Sequence, residues 1–344
     1  MVRVGVAGYG FAGRDIHAPV LREAGLDVVA ISTGNPDRAA AARADFPAVD
    51  VVPSLEALLT RDDLDVVVLA TPSGAHDAHA RAVLDAGIAC VVDKPLAVDA
   101  AQGYALVEYA AARGVPLTVF QNRRYDPEQA TTLAVARDKA IGEVFRLELR
   151  WERWRPVPKD RWRENADPAE GGGILLDLHS HLIDMAVQVL GPVESVFASV
   201  DSRTTRAEDD AFLVTRHTSG ARAHLGATSL SGAPGPRVRM LGTTGAYVVA
   251  QFEGEPTLYT EFAHADPDHC GWLVRGDVRE PVPVVRSSQA DFYRALGVAL
   301  ESGTSQRGMP VNPWESVHAL SVIDAARVSA AEDRVVPVRS PQHD

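Results

Sequence analysis

Along the first third of the chain, short apolar runs alternate with longer stretches whose apolar positions recur at helical spacing. Val2 to Ala7 is the first run and ends in glycines, as a buried parallel strand should. A helix is predicted from about Ala12 to Ala24, stopped by Gly25. Val28 to Ser32 reads as a second strand, with Asp37 to Asp45 as its crossover helix. A short strand centred on Val51 precedes the apolar run Val66 to Ala70 and a helix from Ala75 to Ala86. Ala89 to Val92, a helix from Asp99 to Arg113 and a strand from Leu117 to Phe120 complete the series. Strands spaced by helices in this way form βαβ units, so the expected fold is an α/β Rossmann domain with a doubly wound parallel sheet.

After Asn122 the texture changes. Phe145 to Glu152, Val193 to Val200, Ala211 to His217, Ala221 to Thr228 and Arg237 to Leu241 alternate as longer strands, with turn signals between them. Helices are expected at Gly172 to Leu190, Gln289 to Glu301 and residues 312–331, the last capped by Asn312 before Pro313. This predicts two domains: residues 1–122, and an α+β domain of residues 123–344 built on a large, mainly antiparallel sheet.

The junction of the first strand and helix reads Gly8-Tyr9-Gly10-Phe11-Ala12-Gly13. In a G-x-G-x-x-G turn the first glycine makes the tight bend and the second lets the backbone approach a pyrophosphate. The third lets helix and strand pack closely. The helix N-terminus adds oriented N–H groups and a positive dipole end. The expected ligand is a nicotinamide dinucleotide, held by Gly8, Tyr9, Gly10, Phe11 and Ala12. An acid at the end of the second strand would bind the ribose of NAD. Here that strand ends in Ser32 and Thr33, with Arg38 opening the next helix. The hydroxyls and the guanidinium favour the 2′-phosphate of NADP; Asp37 serving the ribose of NAD is the other reading.

Lys94 lies at the end of another parallel strand, in Val91-Val92-Asp93-Lys94-Pro95, where open α/β sheets bind ligands. Pro95 keeps Lys94 out of the helical region, so its side chain can project into the crevice. The chain has only three lysines, Lys94, Lys139 and Lys159, against 31 arginines, and only a lysine readily gives up its proton. A second cluster runs Gly171-Gly172-Gly173 through Asp177 to His181 and Asp184. Asp177 and His181, four residues apart, would share one helix face, with His179 turned away. A histidine oriented by a carboxylate suits transfer of a hydroxyl proton.

Bulk properties narrow the classes. A net charge of -12 over 344 residues argues against nucleic acid or an anionic membrane as partner. Two cysteines, Cys90 and Cys270, fit a reducing cytoplasm, and Met1 to Val6 leaves no room for a signal peptide. Trp151, Trp154 and Trp162 interleave with arginines. In an acidic chain they suggest sheet residues and an active-site loop that brings Arg161 or Trp162 to cofactor or substrate. Asp177, His181 and Asp184, or His76 with His79, are the nearest approach to metal-ligand spacing, and without paired cysteines no metal is expected.

These features together resemble the glucose-fructose oxidoreductase/inositol dehydrogenase (Gfo/Idh/MocA) family. The match runs through Ala70-Thr71-Pro72, Asp93-Lys94-Pro95, Asn122-Arg123-Arg124 and the glycine-rich Asp177/His181 segment to Pro310-Val311, over nearly the whole chain. The resemblance implies a catalytic Lys94, a substrate-binding Asp177 and a proton-transferring His181. It also implies a nicotinamide side lined by Thr71, Pro72 and His76, with Asp93 and Asn122 at the cofactor. Arg161-Trp162-Arg163 together with Asn122-Arg123-Arg124 is similar to the branch that includes NADP-dependent scyllo-inositol dehydrogenases, which sets Arg123, Arg161 and Trp162 near substrate. Asp93 replaces a commoner glutamate, and His179-Ser180 stands where that branch often has Gly-Pro. The implied activity is hydride transfer between a polyol, inositol or sugar and NADP or NAD, by a homodimer or homotetramer joined through the C-terminal sheet. The same fold also serves redox-neutral, NAD-dependent glycoside cleavage and cofactor-sensing regulators without catalysis.

Overall fold

A computed structural model of the chain describes residues 1–251, 257–263, 266–303 and 306–339. It divides into two compact units: Met1–Tyr125 with Ser288–Val317, and Asp126–Ser287 with His318–Asp344.

In the first unit, β1 (Arg3–Ala7), β2 (Asp27–Ser32), β3 (Asp50–Val52), β4 (Val66–Leu69), β5 (Ala89–Asp93) and β6 (Leu117–Phe120) form one parallel sheet in the order β3-β2-β1-β4-β5-β6. The order reverses between β1 and β4, the switch point at whose carboxyl ends dinucleotides bind in folds of this kind. Val66, Val67, Val68 and Leu69 are all fully buried, as strands covered on both faces require. The crossovers are α1 (Ala18–Ala24), α2 (Pro36–Asp45), α3 (Leu55–Leu58), α4 (His76–Asp85) and α5 (Ala100–Arg113). Local capping sets their starts: Asn35 accepts the Arg38 N–H at 3.0 Å and Asp99 the Gln102 N–H at 2.8 Å. α1 is preceded by a π-helical stretch, Ala12–His17, in which Ala18 N–H reaches back to Gly13 O.

The expected boundary at residue 122 leaves out a segment that returns to this unit. Phe292, Tyr293, Leu296 and Val311 are buried in the same core as Val4, Val6 and Val91. Phe120 meets the rings of Phe292 and Tyr293 at 5.0 and 5.2 Å. The Thr118 hydroxyl donates to Val311 O at 2.9 Å, and the Gln306 side chain accepts from Leu117 N–H at 2.7 Å. The return covers β6, an edge strand that would otherwise present open backbone groups. Nothing local to residues 288–317 announces this, because the partner surface lies far away in sequence.

The second unit is a nine-stranded sheet in the order β14-β13-β12-β11-β7-β10-β9-β8-β15. Its strands are β7 (Val144–Glu152), β8 (Val193–Asp201), β9 (Asp210–His217), β10 (Arg222–Thr228), β11 (Val238–Gly242), β12 (Gly245–Val249), β13 (His269–Arg275), β14 (Val278–Pro283) and β15 (Val336–Pro337). All neighbours are antiparallel except β7 and β10, which run parallel. In β9, Ala211, Leu213, Thr215 and His217 are buried while Phe212 and Arg216 are exposed, the period-two pattern of a one-sided sheet. The helices are α6 (Pro127–Arg137), α7 (Trp162–Asn165), α8 (Ser180–Leu190) and the part of the helix Pro313–Glu332 that follows Val317. α6 was not expected, although Pro127 at its first turn with Glu128 beside it is a start signal.

The predicted helix from Gly172 to Leu190 starts later. Gly171 and Gly173 have φ of 89° and 94°, and helical structure begins with a π-helical stretch at Leu175–His179 before α8. No described helix is long and apolar enough to cross a membrane.

Candidate functional site

At the end of β1 the backbone turns at Gly8, whose φ is 94° and whose N–H donates to Ser32 O at 2.9 Å. A Cβ on Gly8 would lie 2.7 Å from Ala70 O, and one on Gly13 would lie 2.0 Å from Gly8 O. Only glycine lets β1, β4 and the following helix converge here. Gly10 differs: the nearest atom to its built Cβ is the Arg38 guanidinium at 3.5 Å, ordinary contact with a movable tip. The turn therefore leaves open the surface a pyrophosphate needs, with the Arg38 guanidinium bordering it, so the residues present fit a dinucleotide. Ser32 is buried and Thr33 half-buried at the end of β2. Phe11 is exposed beside the turn, but the Tyr9 side chain points into the core and its hydroxyl donates to Asp45 at 3.0 Å. Burial, together with that carboxylate, raises the Tyr9 phenol well above its ordinary value. Tyr9 thus has only backbone to offer a ligand.

The end of β4 is fastened to the end of β5. His76 is buried, with Nδ1 2.7 Å from Pro95 O and Nε2 3.0 Å from Thr71 O. Burial lowers its pKa against the pull of those carbonyls and of Asp93. Thr71 Oγ1 in turn meets His79 Nδ1 at 3.0 Å, and Pro72 is exposed. The Lys94–Pro95 peptide is cis, and Lys94 stands half-buried at the carboxyl edge of the sheet. Asp93 accepts the Lys94 N–H at 2.9 Å and lies 3.8 Å from His17 Nε2. Burial would raise the Asp93 carboxyl, but the His17 hydrogen bond and the charges of His17, Lys94 and His76 hold it below the usual range. His17 Nδ1 meets the Tyr293 hydroxyl at 2.6 Å, so a buried histidine and tyrosine back the residue before the lysine. Sequence reading missed both, since Tyr293 comes from the returning segment. Asn122 donates to the Gln289 side chain at 3.2 Å, and Arg123 beside it is half-buried.

In the second unit the glycine segment packs against its own chain. A Cβ on Gly172 would lie 2.0 Å from Ala166 O, and one on Gly173 would overlap the Glu208 carboxylate at 2.2 Å. The close approach that these glycines permit is made by the protein itself. Asp177 is about a third exposed, with Oδ1 3.3 Å from Arg163 Nε. It lines a cleft with Arg161 and Arg163. Arg161 is salt-bridged to Glu164, and the Arg163 guanidinium lies 4.6 Å from the Trp162 ring. His181 is 7% exposed, and its ring centroid lies 5.5 Å from that of Trp151. On Trp151 also rests the Arg237 guanidinium, 4.8 Å from the ring centroid. Trp151 was assigned only a place in the sheet; its register on β7 beside α8 is what sequence alone lacks. His179 is fully buried, 3.3 Å from Leu225 O, and burial lowers its pKa to about 4. It is a neutral core histidine, as its offset from Asp177 suggested. Among the described residues no three His, Cys, Asp or Glu side chains gather to hold a metal.

A parallel sheet of this order with an open glycine turn at its switch point defines a dinucleotide-binding domain. Residues 2–121 match a family model described as the oxidoreductase family with an NAD-binding Rossmann fold, and residues 130–248 match the GFO/IDH/MocA C-terminal domain. The chain is 29% identical to scyllo-inositol 2-dehydrogenase (NADP(+)) IolW of Bacillus subtilis, over 97% of this chain and 95% of that protein. It is 30% identical to the uncharacterized oxidoreductase YdgJ of Escherichia coli, over 96% of each. The putative oxidoreductase yvaA from Bacillus subtilis superposes with a TM-score of 0.85 at 27% identity, over 98% of each chain. The chain belongs to the Gfo/Idh/MocA family of NAD(P)-dependent oxidoreductases.

Proposed function

We propose that the protein is an NADP-preferring dehydrogenase of a polyol, inositol or sugar hydroxyl, with Lys94 and His181 handling the proton. The observation that carries this is Lys94 at the carboxyl end of β5, on the sheet edge that also holds the Gly8 turn and Thr71. When bound, the nicotinamide supplies the hydride donor or acceptor. Lys94 and His181 handle the proton of the reacting hydroxyl, or of the carbonyl in the reverse direction. Asp177 accepts a hydrogen bond from an adjacent hydroxyl and orients the ring. Arg161, Trp162 and Arg123 border the substrate. The fastening of Thr71 and Pro95 by His76 keeps the two strand ends in register beneath it. Arg38, Ser32 and Thr33 favour the 2′-phosphate, and the NADP-dependent relative agrees with that preference. The outer face of the nine-stranded sheet, where Phe197 and Phe212 are 37% and 46% exposed, is the surface for assembly into a homodimer or homotetramer, which light scattering measures directly.

Lys94→Ala should lower kcat by about a thousandfold, within the range of general acid–base contributions, while the dinucleotide Kd stays within about threefold. A panel of polyols and sugars assayed with NADP and with NAD, following nicotinamide absorbance, supplies the substrate for that measurement. A variant that retained most of its kcat would remove Lys94 from the chemistry.

A further inference from the structure

The cleft beside Asp177 carries more positive charge than a neutral polyol can use. Five cationic side chains line it, Arg153, Arg155, Lys159, Arg161 and Arg163, in a chain of net charge -12. The acids of the cleft are largely committed. Glu164 pairs with Arg161, and Asp177 lies 3.3 Å from Arg163. Asp209 accepts the Arg203 and Thr204 N–H groups at 2.7 and 2.9 Å and the Thr204 hydroxyl at 2.6 Å, so it is spent on closing a loop. Glu208 is 9% exposed, and burial pushes its carboxyl up, which weakens it as a counter-charge. Arg155 and Lys159 have no acid partner among the described residues.

The backbone keeps these two cations at the cleft. They are separated by Pro156-Val157-Pro158, whose two rings fix φ. The Arg155 end of this strap is tied by Arg155 N–H to Ser229 O at 2.7 Å, and past the second ring the chain turns back on itself through Arg161 N–H to Lys159 O at 3.0 Å. A strap stiffened by two prolines and anchored at Arg155 presents Arg155 and Lys159 to the same cleft, which lowers the entropic cost of holding a ligand.

We propose that the substrate carries an anionic group, a carboxylate or a phosphate ester, on its polyol skeleton, and that Arg155 and Lys159 hold it while Asp177 takes a hydroxyl. The guanidinium offers a planar fork and the ammonium a point charge, which together suit either oxyanion. This rests on the dehydrogenase reading and deepens it by naming the substrate class.

The test compares matched substrates with NADP: a neutral polyol or aldose, its sugar acid and its phosphate ester, on the intact protein and on R155Q/K159Q. The expected result is kcat/KM at least about thirtyfold higher for one of the anions, expressed mainly in KM, as two charge-assisted contacts allow. In R155Q/K159Q that ratio should fall by about tenfold or more, and the exposed single variant K159Q should lower it in part. The acid and phosphate arms identify which oxyanion is used. Equal or better turnover of the neutral compound overturns the proposal and leaves the dehydrogenase standing. So does an unchanged ratio in R155Q/K159Q combined with a weaker NADPH Kd, which would assign the two cations to the dinucleotide. No absorbance change with any compound, while NADPH still binds, overturns the dehydrogenase reading and this proposal with it.

Discussion

Each unit starts a helix from a glycine-rich turn through a π-helical stretch, Ala12–His17 in the first and Leu175–His179 in the second, yet the two turns do different work. In the first, Gly8 and Gly13 are pressed against their own chain while Gly10 meets only a side-chain tip. In the second, Gly172 and Gly173 are both closed off, by the Ala166 carbonyl and the Glu208 carboxylate. A glycine that faces a ligand and a glycine that faces the protein look alike in a sequence. What separates them is the distance from a built Cβ to the nearest protein atom, 2.0 to 2.7 Å at the closed positions and 3.5 Å at Gly10.

The sharpest way to break that comparison is to add the missing carbons. Gly172→Ala and Gly13→Ala each set a Cβ 2.0 Å from a backbone carbonyl oxygen. Each should cost about 3 kcal/mol, the upper part of the overpacking range, and lower the denaturant midpoint accordingly. If Gly172→Ala unfolded with the parent's midpoint, the second turn would be looser than drawn and open to a ligand after all. Gly10→Ala should behave in the opposite way. Its φ lies outside the left-handed region and its Cβ finds ordinary contact, so stability should hold or rise by about 0.5 kcal/mol. The new methyl would occupy the pyrophosphate's approach, and the NADPH Kd should rise by about thirtyfold. Titration of dinucleotide fluorescence reads this; an unchanged Kd would move the phosphates elsewhere.

The same contrast explains how much was legible. Element ends in the first unit were readable because their signals are local: an apolar run and a glycine stop such as Gly25. Ser32, Thr33, Arg38 and Lys94 could be set near strand ends because a βαβ series carries such ends to one edge of the sheet, whereas Thr71 came only from the family resemblance. The glycines of the second unit, the delayed helix start and the burial of His181 beside Trp151 depend on strand register and on Glu208, set by distant residues. The returning segment of residues 288–317 failed for that reason too. Tyr293 reaches His17 across an interval of 276 positions that no periodicity records.

The smallest expected effect refines the ligand-facing turn. The Arg38 guanidinium lies 3.5 Å from the built Cβ of Gly10, so the cation and the open glycine border one space. Arg38→Ala removes one charge-assisted contact to a 2′-phosphate and should weaken NADPH by about tenfold. NADH, which lacks that phosphate, should change by less than about twofold. The double variant G10A/R38A then tests whether the two residues act on one ligand. Independent sites more than about 7–10 Å apart add, whereas neighbours sharing a partner do not. With the methyl already displacing the dinucleotide, loss of Arg38 has less left to remove, so the double variant should weaken NADPH by less than the product of the single effects. A fully multiplicative loss, about three-hundredfold, would mean that the two residues act on separate parts of the dinucleotide, whereas no effect of Arg38→Ala on NADPH would return the choice between NADP and NAD to Asp37 and the ribose.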